Sequence, residues 1–265
     1  MISRSTITHE QTTFASLLPG PDTQLRPSGC QPRRPENTLA AFELAARYGA
    51  DGIELDVSLT ADGVPVVIHD DTLDRTTDGS GDAGSFPLAE IKRLDAGRWF
   101  DPRFTGEQIP TLDEVFEAVG DRLLVNVELK GFTLRQDGLE SRVAERIAHH
   151  NLASRVIVSS FNPLRLRRLR KIAPHIPIGF LHEPGEPFYI SWLLWRYPRE
   201  ADHPHQAFVT PAYMAWARRS GLRVNTWVVD DLARMSALRD LGVDMIMTNR
   251  PDVLAGVLRQ AGQQE

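Results

Sequence analysis

Along residues 52–57, GIELDV, apolar and acidic side chains alternate. In an extended chain Ile53, Leu55 and Val57 fall on one face, and Glu54 and Asp56 on the other. After the turn TADG a second apolar run, 64–68, ends in His69-Asp70. Upstream, Pro35-Glu36-Asn37-Thr38 opens a stretch, LAAFELAARYG, whose apolar residues recur at helical spacing until Gly49 stops it. Thr111 is placed to cap LDEVFEAVG, with Glu114 at the reciprocal capping position. From there the two periods take turns. Strands are expected at 123–129, 156–159, 178–181, near 207–209, at 223–228 and at 245–248. Helices are expected at 138–150, 163–173, within 187–196, and at 211–219, 231–240 and 251–260.

Strands alternating with helices predict a parallel sheet. About eight such units in 265 residues predict an α/β fold of the closed (β/α)8 TIM type, in one domain. No GxGxxG or Walker loop points to a nucleotide-binding sheet. Residues 86–110 hold a short helix, LAEIKRLDA, and the irregular stretch GRWFDPRFTGEQIP, which reads as a small insertion after the second strand.

Composition narrows the class. A net charge of −5 carries no electrostatic footprint for nucleic acid. One cysteine excludes a disulfide framework and fits a reducing compartment, the cytoplasm. No apolar stretch is long enough to span a bilayer, and the first thirty residues lack a continuous apolar leader core.

The strand ends carry the chemistry. Two carboxylates on one face of a buried strand repel each other and are costly to desolvate unless a positive charge lies between them. A divalent cation that prefers oxygen meets that need for Glu54 and Asp56. A solvated edge strand is the ordinary alternative, which the apolar run ending at His69 disfavours. Asn126, Glu128 and Lys130 share one face of LLVNVELK, Asn225 and Trp227 one face of RVNTW, and Ser159-Ser160-Phe161 end another strand. In a barrel such strand ends gather at one mouth. Three oxygen donors (Glu54, Asp56, Glu128), a proton carrier (His69) and a fixed cation (Lys130) suit phosphodiester hydrolysis.

The stretch PENTLAAFELAARYGADGIELDVSLTADGVPVVIHDDTLDRTT resembles the signature of the glycerophosphodiester phosphodiesterase family. The resemblance continues through LDAGRWFDPRFTGEQIPTLDEVF, VNVELK, VIVSSFNP, RVNTWVVDD and MTNRPD, over roughly residues 35–255. It implies a TIM-type barrel that hydrolyses small-molecule glycerophosphodiesters to glycerol 3-phosphate and an alcohol, using one divalent cation, Mg²⁺ or Ca²⁺. Under it Glu54, Asp56 and Glu128 resemble the metal ligands, His69 one of two catalytic histidines, and Lys130 the phosphate-side lysine. Glu36 belongs to the PENT motif near the site, and Phe161 and Trp227 resemble residues lining the substrate pocket.

One motif departs. The family begins with a strand ending in His-Arg-Gly, which supplies the other acid/base group and a phosphate contact. Here the matching positions are Pro27-Ser28-Gly29. The chain is therefore expected to be impaired, and a catalytically inactive phosphodiester-binding homologue is the alternative. RPSGCQ, residues 26–31, fits no strand where the barrel needs its first, so a closing strand is expected to be missing. Encoded as CGC-CCA-TCG-GGG-TGC-CAG and read one base later, the same bases with the following C give Ala-His-Arg-Gly-Ala-Ser. The histidine then falls at position 27. Residues 1–31 are accordingly expected to be an anomalous segment from a reading-frame error, and 32–265 the barrel domain.

Three further features are read as structural. His203-Pro204-His205 is within reach of the pocket as an alternative, but a loop histidine pair is more often structural. FYISWLLWRY, 188–197, is too short for a membrane and reads as a buried helix or a lid over the mouth. The arginine run of 165–171 reads as a solvated helix face.

Overall fold

The computed structural model describes residues 12–15, 34–131, 136–185 and 198–261. In chain order the strands are β1 (Thr12–Ala15), β2 (Gly52–Leu59), β3 (Pro65–Val67), β4 (Leu124–Leu129), β5 (Val156–Ser160), β6 (Ile178–His182), β7 (Ala201–Pro204), β8 (Arg223–Thr226) and β9 (Met245–Thr248). The helices are α1 (Leu39–Arg47), α2 (Leu88–Ile91), α3 (Leu112–Val119), α4 (Leu139–His149), α5 (Pro163–Ile172), α6 (Pro211–Arg219), α7 (Leu232–Leu241) and α8 (Pro251–Ala261).

The sheet runs β1-β9-β8-β7-β6-β5-β4-β2, all parallel, with β3 added antiparallel on β2. β1 also pairs with β2, Phe14 opposite Gly52 and Ala15 opposite Ile53, which brings the two ends of the sheet together. This is the α/β barrel expected from the alternating pattern. One expectation is corrected: the closing strand is present. Thr12–Ala15 supplies it, upstream of the segment where it was sought, by pairing in parallel with Met245–Thr248 and with residues 52–53. Residues 26–31 and 188–197 lie outside the described residues, as does the helix expected within 187–196.

The alternation on β2 and β4 separates two buried environments. Ile53, Leu55, Val57, Val125, Val127 and Leu129 face the helices and join Phe42, Val115, Phe116, Val143 and Leu169 in the main core. Truncating one such side chain to alanine typically costs about 2–5 kcal/mol. Glu54, Asp56, Asn126, Glu128, Ser159, His203 and Asn225 are also buried, on the alternate positions that face the barrel's interior. Thr111 caps α3 as its spacing predicts: its hydroxyl accepts from Glu114 N–H, and the Glu114 carboxylate accepts from Thr111 N–H at 2.7 Å. Such a cap contributes roughly 1 kcal/mol.

Two strand readings shift. The strand sought near 207–209 is Ala201–Pro204, and Gln206–Phe208 forms a 3-10 turn. ADHP carries no apolar run to reveal it; Asp202 and His203 are buried through polar partners instead. β8 stops at Thr226, two residues early. The arginine run is not simply solvated either: Arg165 is 2% exposed, and its guanidinium donates to Asp137 and Glu140.

Between β3 and α3 the chain makes an excursion with a small core of its own, including Ile68, Leu73, Ala83, Ile91, Ala96 and Ile109. Asp95 ties it together by accepting from the N–H groups of Gly97, Arg98 and Gly106. Gly97 is required sterically, since a Cβ there would lie 2.0 Å from the carbonyl oxygen of Phe104. No helix among the described residues is long and apolar enough to cross a membrane.

Candidate active site

Glu54 and Asp56 on β2 pair in register with Asn126 and Glu128 on β4, so the two strands deliver three carboxylates to one place. Carboxylate oxygens of Glu54, Asp56 and Glu128 all lie within 4.8 Å of one another, and all three residues are buried. Oxygens that share one Ca²⁺ are at most about 5 Å apart, and those that share one Mg²⁺ about 4 Å, twice the ligand distance. A set spread over up to 4.8 Å therefore fits a single Ca²⁺ as it stands and closes slightly around Mg²⁺. Lys130, one residue beyond β4, reaches back so that Nζ stands 3.0 Å from Glu128 Oε1 and 3.2 Å from Asp56 Oδ1.

The charges do not balance within this group. Three carboxylates and one ammonium leave two negative charges in excess, in a place shielded from water. Burial, the largest influence, pushes the Glu128 carboxyl up to about 7 even though the Lys130 ammonium opposes it. Burial also opposes the charge on Lys130, but Asp56 and Glu128 outweigh it and hold the ammonium above the ordinary lysine range. The three carboxylates are placed to hold a divalent cation.

The loop before α1 adds a support that the sequence pattern did not single out. Asn37 adopts φ +53°, a left-handed conformation that asparagine tolerates better than most residues, and its Nδ2 donates to Asp56 Oδ2 at 3.0 Å. That bond fixes the carboxylate's second oxygen, as groups behind metal ligands commonly do.

His69 lies beside the acids because Ile68 N–H donates to the Asp56 carbonyl at 3.0 Å. Its Nδ1 is 2.6 Å from Asp70 Oδ1. An ionised carboxylate only accepts, so Nδ1 carries the proton and Nε2 is the remaining nitrogen. Arg75 grips Asp70 through Nε and Nη2 at 2.6 and 3.0 Å, and Glu36 through Nη1 and Nη2 at 2.9 and 2.6 Å. The hydrogen bonds from Arg75, against burial, hold the Asp70 carboxyl down at about 2. Burial raises Glu36 above the usual carboxylate range while Arg75 restrains it. Glu36, Arg75, Asp70 and His69 thus form one hydrogen-bonded chain.

Phe161 and Trp227 follow β5 and β8 and meet edge to face at 5.4 Å between ring centres. Trp227 Nε1 donates to the His203 carbonyl at 2.7 Å and its ring also meets His205 at 5.4 Å. His203 itself is packed inside the barrel: Asn225 Nδ2 donates to its Nε2 at 2.8 Å, and its ring occupies the space that Gly179 leaves open. Burial drives His203 down to about 3, so it is neutral. The structural reading of the histidine pair holds for His203.

Of the eight candidate residues read from sequence, Glu54 and Asp56 lie within β2, Glu36 on the loop before α1, and the others at or just beyond the ends of β3, β4, β5 and β8. Glu54, Asp56, Glu128 and Lys130 touch as a group, Glu36 and His69 join through Arg75 and Asp70, and Phe161 and Trp227 touch each other. Asn37, Asp70 and Arg75 were missed as partners. Their only signal is position, within PENT, after the histidine, and in DRTT; side-chain pairing across 19 or 39 residues has no local period.

The glycerophosphoryl diester phosphodiesterase family profile matches residues 28–253. A glycerophosphodiester phosphodiesterase of Caldanaerobacter subterraneus subsp. tengcongensis is 44% identical over 231 residues, covering 86% of this chain and 94% of the relative. A solved glycerophosphodiester phosphodiesterase from Agrobacterium tumefaciens superposes with a TM-score of 0.77 at 32% identity, covering 93% of this chain and 100% of the other. An Oleispira antarctica phosphodiesterase, solved with its product sn-glycerol-3-phosphate, gives 0.81 at 29% identity, covering 94% and 96%.

Proposed function

The chain belongs to the glycerophosphoryl diester phosphodiesterase family, and from that premise we propose that its barrel mouth hydrolyses glycerophosphodiesters to glycerol 3-phosphate and an alcohol. The observation that carries this reading is the contact of Lys130 with both Asp56 and Glu128 at the edge of the three-carboxylate group, beside His69. An anionic phosphodiester needs positive charge where it sits and a proton carrier where the ester bond breaks.

Glu54, Asp56 and Glu128 would hold one divalent cation, Mg²⁺ or Ca²⁺, which when bound supplies Lewis-acid stabilisation of phosphoryl oxygens. Lys130 offsets the remaining charge on the phosphate. His69 moves a proton through Nε2, with its tautomer set by Asp70. Arg75 and Glu36 hold Asp70 in place. Phe161 and Trp227 offer an apolar wall to the organic part of the substrate. The glycerol hydroxyl attacks phosphorus and the alcohol leaves; water then opens the cyclic ester to glycerol 3-phosphate.

Pro27-Ser28-Gly29 stand where the family motif carries His-Arg-Gly, and β1 is followed by Ser16-Leu17-Leu18, which supplies neither group. The chain as written is therefore slow, since one acid/base group is worth about 10²- to 10⁴-fold. The same substitution favours a second reading, an inactive homologue that binds phosphodiesters without cleaving them. Release of glycerol 3-phosphate from glycerophosphocholine, with and without a chelator, separates the two. Metal-dependent release supports hydrolysis, and binding of glycerol 3-phosphate without release supports the inactive homologue.

A further inference from the structure

Lys130 is useful only where the turn after β4 puts its ammonium, and that turn is held from both sides. On one flank Lys130 N–H donates to the Val57 carbonyl at 3.2 Å. On the other, the carbonyls before and after Lys130 are both captured by the next strand–helix unit. Ser160 Oγ donates to Leu129 O at 2.8 Å, while Asn162 Nδ2 and Arg165 Nε donate to Gly131 O at 3.2 and 3.1 Å. We propose that Ser160, Asn162 and Arg165 form a clamp that positions Lys130 between Asp56 and Glu128, which makes them positioning residues of the site. The proposal rests on the reading of Lys130 as the phosphate-side cation.

Each jaw is itself fixed. The Ser160 hydroxyl that donates to Leu129 accepts from Asn162 N–H at 3.0 Å. The Asn162 side-chain oxygen accepts from Leu164 N–H at 3.0 Å, so one amide caps α5 and holds the turn at once. Arg165 is buried and spends its two terminal nitrogens on Asp137, at 3.0 and 2.6 Å, and Glu140, at 3.1 Å. Its Nε is left to point at Gly131. Gly131 has φ +87°, and a Cβ there would stand 3.1 Å from Arg165 Nη2. The positive φ favours glycine next to Lys130, and a Cβ there would push on the Arg165 guanidinium. Buried ion pairs add little net stability over apolar replacements of similar volume. What this pair fixes is where a guanidinium points, and it points at the turn that carries Lys130.

The chain has three lysines, Lys92, Lys130 and Lys171, so reductive methylation read by mass spectrometry reports on Lys130 individually. Lys171 is exposed and serves as the fast reference. Lys92 is tied to Glu114 and the Ile109 carbonyl and reports general loosening. Asn162→Asp keeps the helix cap but loses the amide donor to Gly131, and Arg165→Lys keeps the charge but loses the fork. In Arg165→Lys, Lys130 should be methylated about tenfold faster, and in Asn162→Asp about fivefold faster, while Lys92 stays unchanged, the rises in open population that one lost charged and one lost neutral hydrogen bond give. Ser160→Ala, which removes a single neutral hydroxyl donor, carries the same expectation as Asn162→Asp, about fivefold, should Arg165→Lys fail to fold. A Lys130 rate equal to the parent's, or a rise shared with Lys92, overturns the clamp. Failure of the underlying reading looks different: Lys130→Met would then leave the affinity for glycerol 3-phosphate in Mg²⁺ unchanged.

Discussion

Asp70 Oδ1 accepts a 2.6 Å hydrogen bond from His69 Nδ1, and Arg75 keeps Asp70 ionised to do so. The carboxylate sets which ring nitrogen is free to move a proton. In a chain that turns over, Asp70→Asn should therefore lower kcat by about 10²-fold with little change in KM, and His69→Ala should lower it at least as far. Steady-state kinetics on glycerophosphocholine decide the point. A near-normal kcat in Asp70→Asn would make the contact a structural one.

Removing a ligand should show in stability before it shows in rate. At a cation concentration about a hundredfold above Kd, Mg²⁺ or Ca²⁺ should stabilise the parent by about 2.7 kcal/mol. Glu54→Gln replaces one of the three charged donors and should lose most of the corresponding rise in Tm. Differential scanning calorimetry with and without metal checks it, and an equal shift in both proteins would contradict the ligand assignment.

Much of this site was legible because strand periodicity and barrel geometry act together. Alternation in GIELDV and VNVELK sorted Glu54, Asp56 and Glu128 from the aliphatic core, and parallel pairing in register brought them together. Partners such as Asn37 and Arg75 were not legible, since what selects them is a carboxylate that folding brings near. β7 escaped because its burial rests on polar bonds: Asp202 accepts from His182, Arg199 and Tyr213, and His203 from Asn225. Hydropathy reads such residues as surface. Arg165 was misread for the same reason, its acids lying 25 and 28 residues upstream.

Asp202 also gives the barrel a stability that depends on pH. Burial alone would raise its carboxyl, but the bond and charge of His182, with Arg199 and Tyr213, hold it at about 2. A depressed carboxylate stabilises the fold fully above its unfolded value, about 3.9. That contribution, roughly 2 kcal/mol, is lost as pH falls from about 4 towards about 2. Urea unfolding at a series of pH values should therefore show a shallower acid decline for Asp202→Asn than for the parent. Tyr213→Phe, which loses a 2.6 Å bond to Asp202, should cost about 1–2 kcal/mol at neutral pH. Identical acid slopes for Asp202→Asn and the parent would remove Asp202 from the account.

The segment before Pro32 is open to a direct test at the level of DNA. We propose that the gene encodes Ala-His-Arg-Gly-Ala-Ser one base out of frame with residues 26–31. Thr12–Ala15 closes the sheet in the chain as written, and residues 16–33 contain no histidine. Resequencing the gene should reveal a His-Arg-Gly triplet ending at position 29. If no frame upstream of Pro35 encodes one, the frame error is excluded and the inactive-homologue reading gains its place.

The most direct measurement is release of glycerol 3-phosphate from glycerophosphocholine by the chain as written and by the Pro27→His, Ser28→Arg double substitution, each with Mg²⁺ or Ca²⁺ and with a chelator. The expected result is weak release by the first and release about 10²- to 10⁴-fold faster by the second, abolished in both by the chelator and absent when Glu54→Gln is added. Release untouched by the chelator, or no release by the double substitution in either metal while it stays folded, would contradict a metal-dependent phosphodiesterase at this barrel mouth.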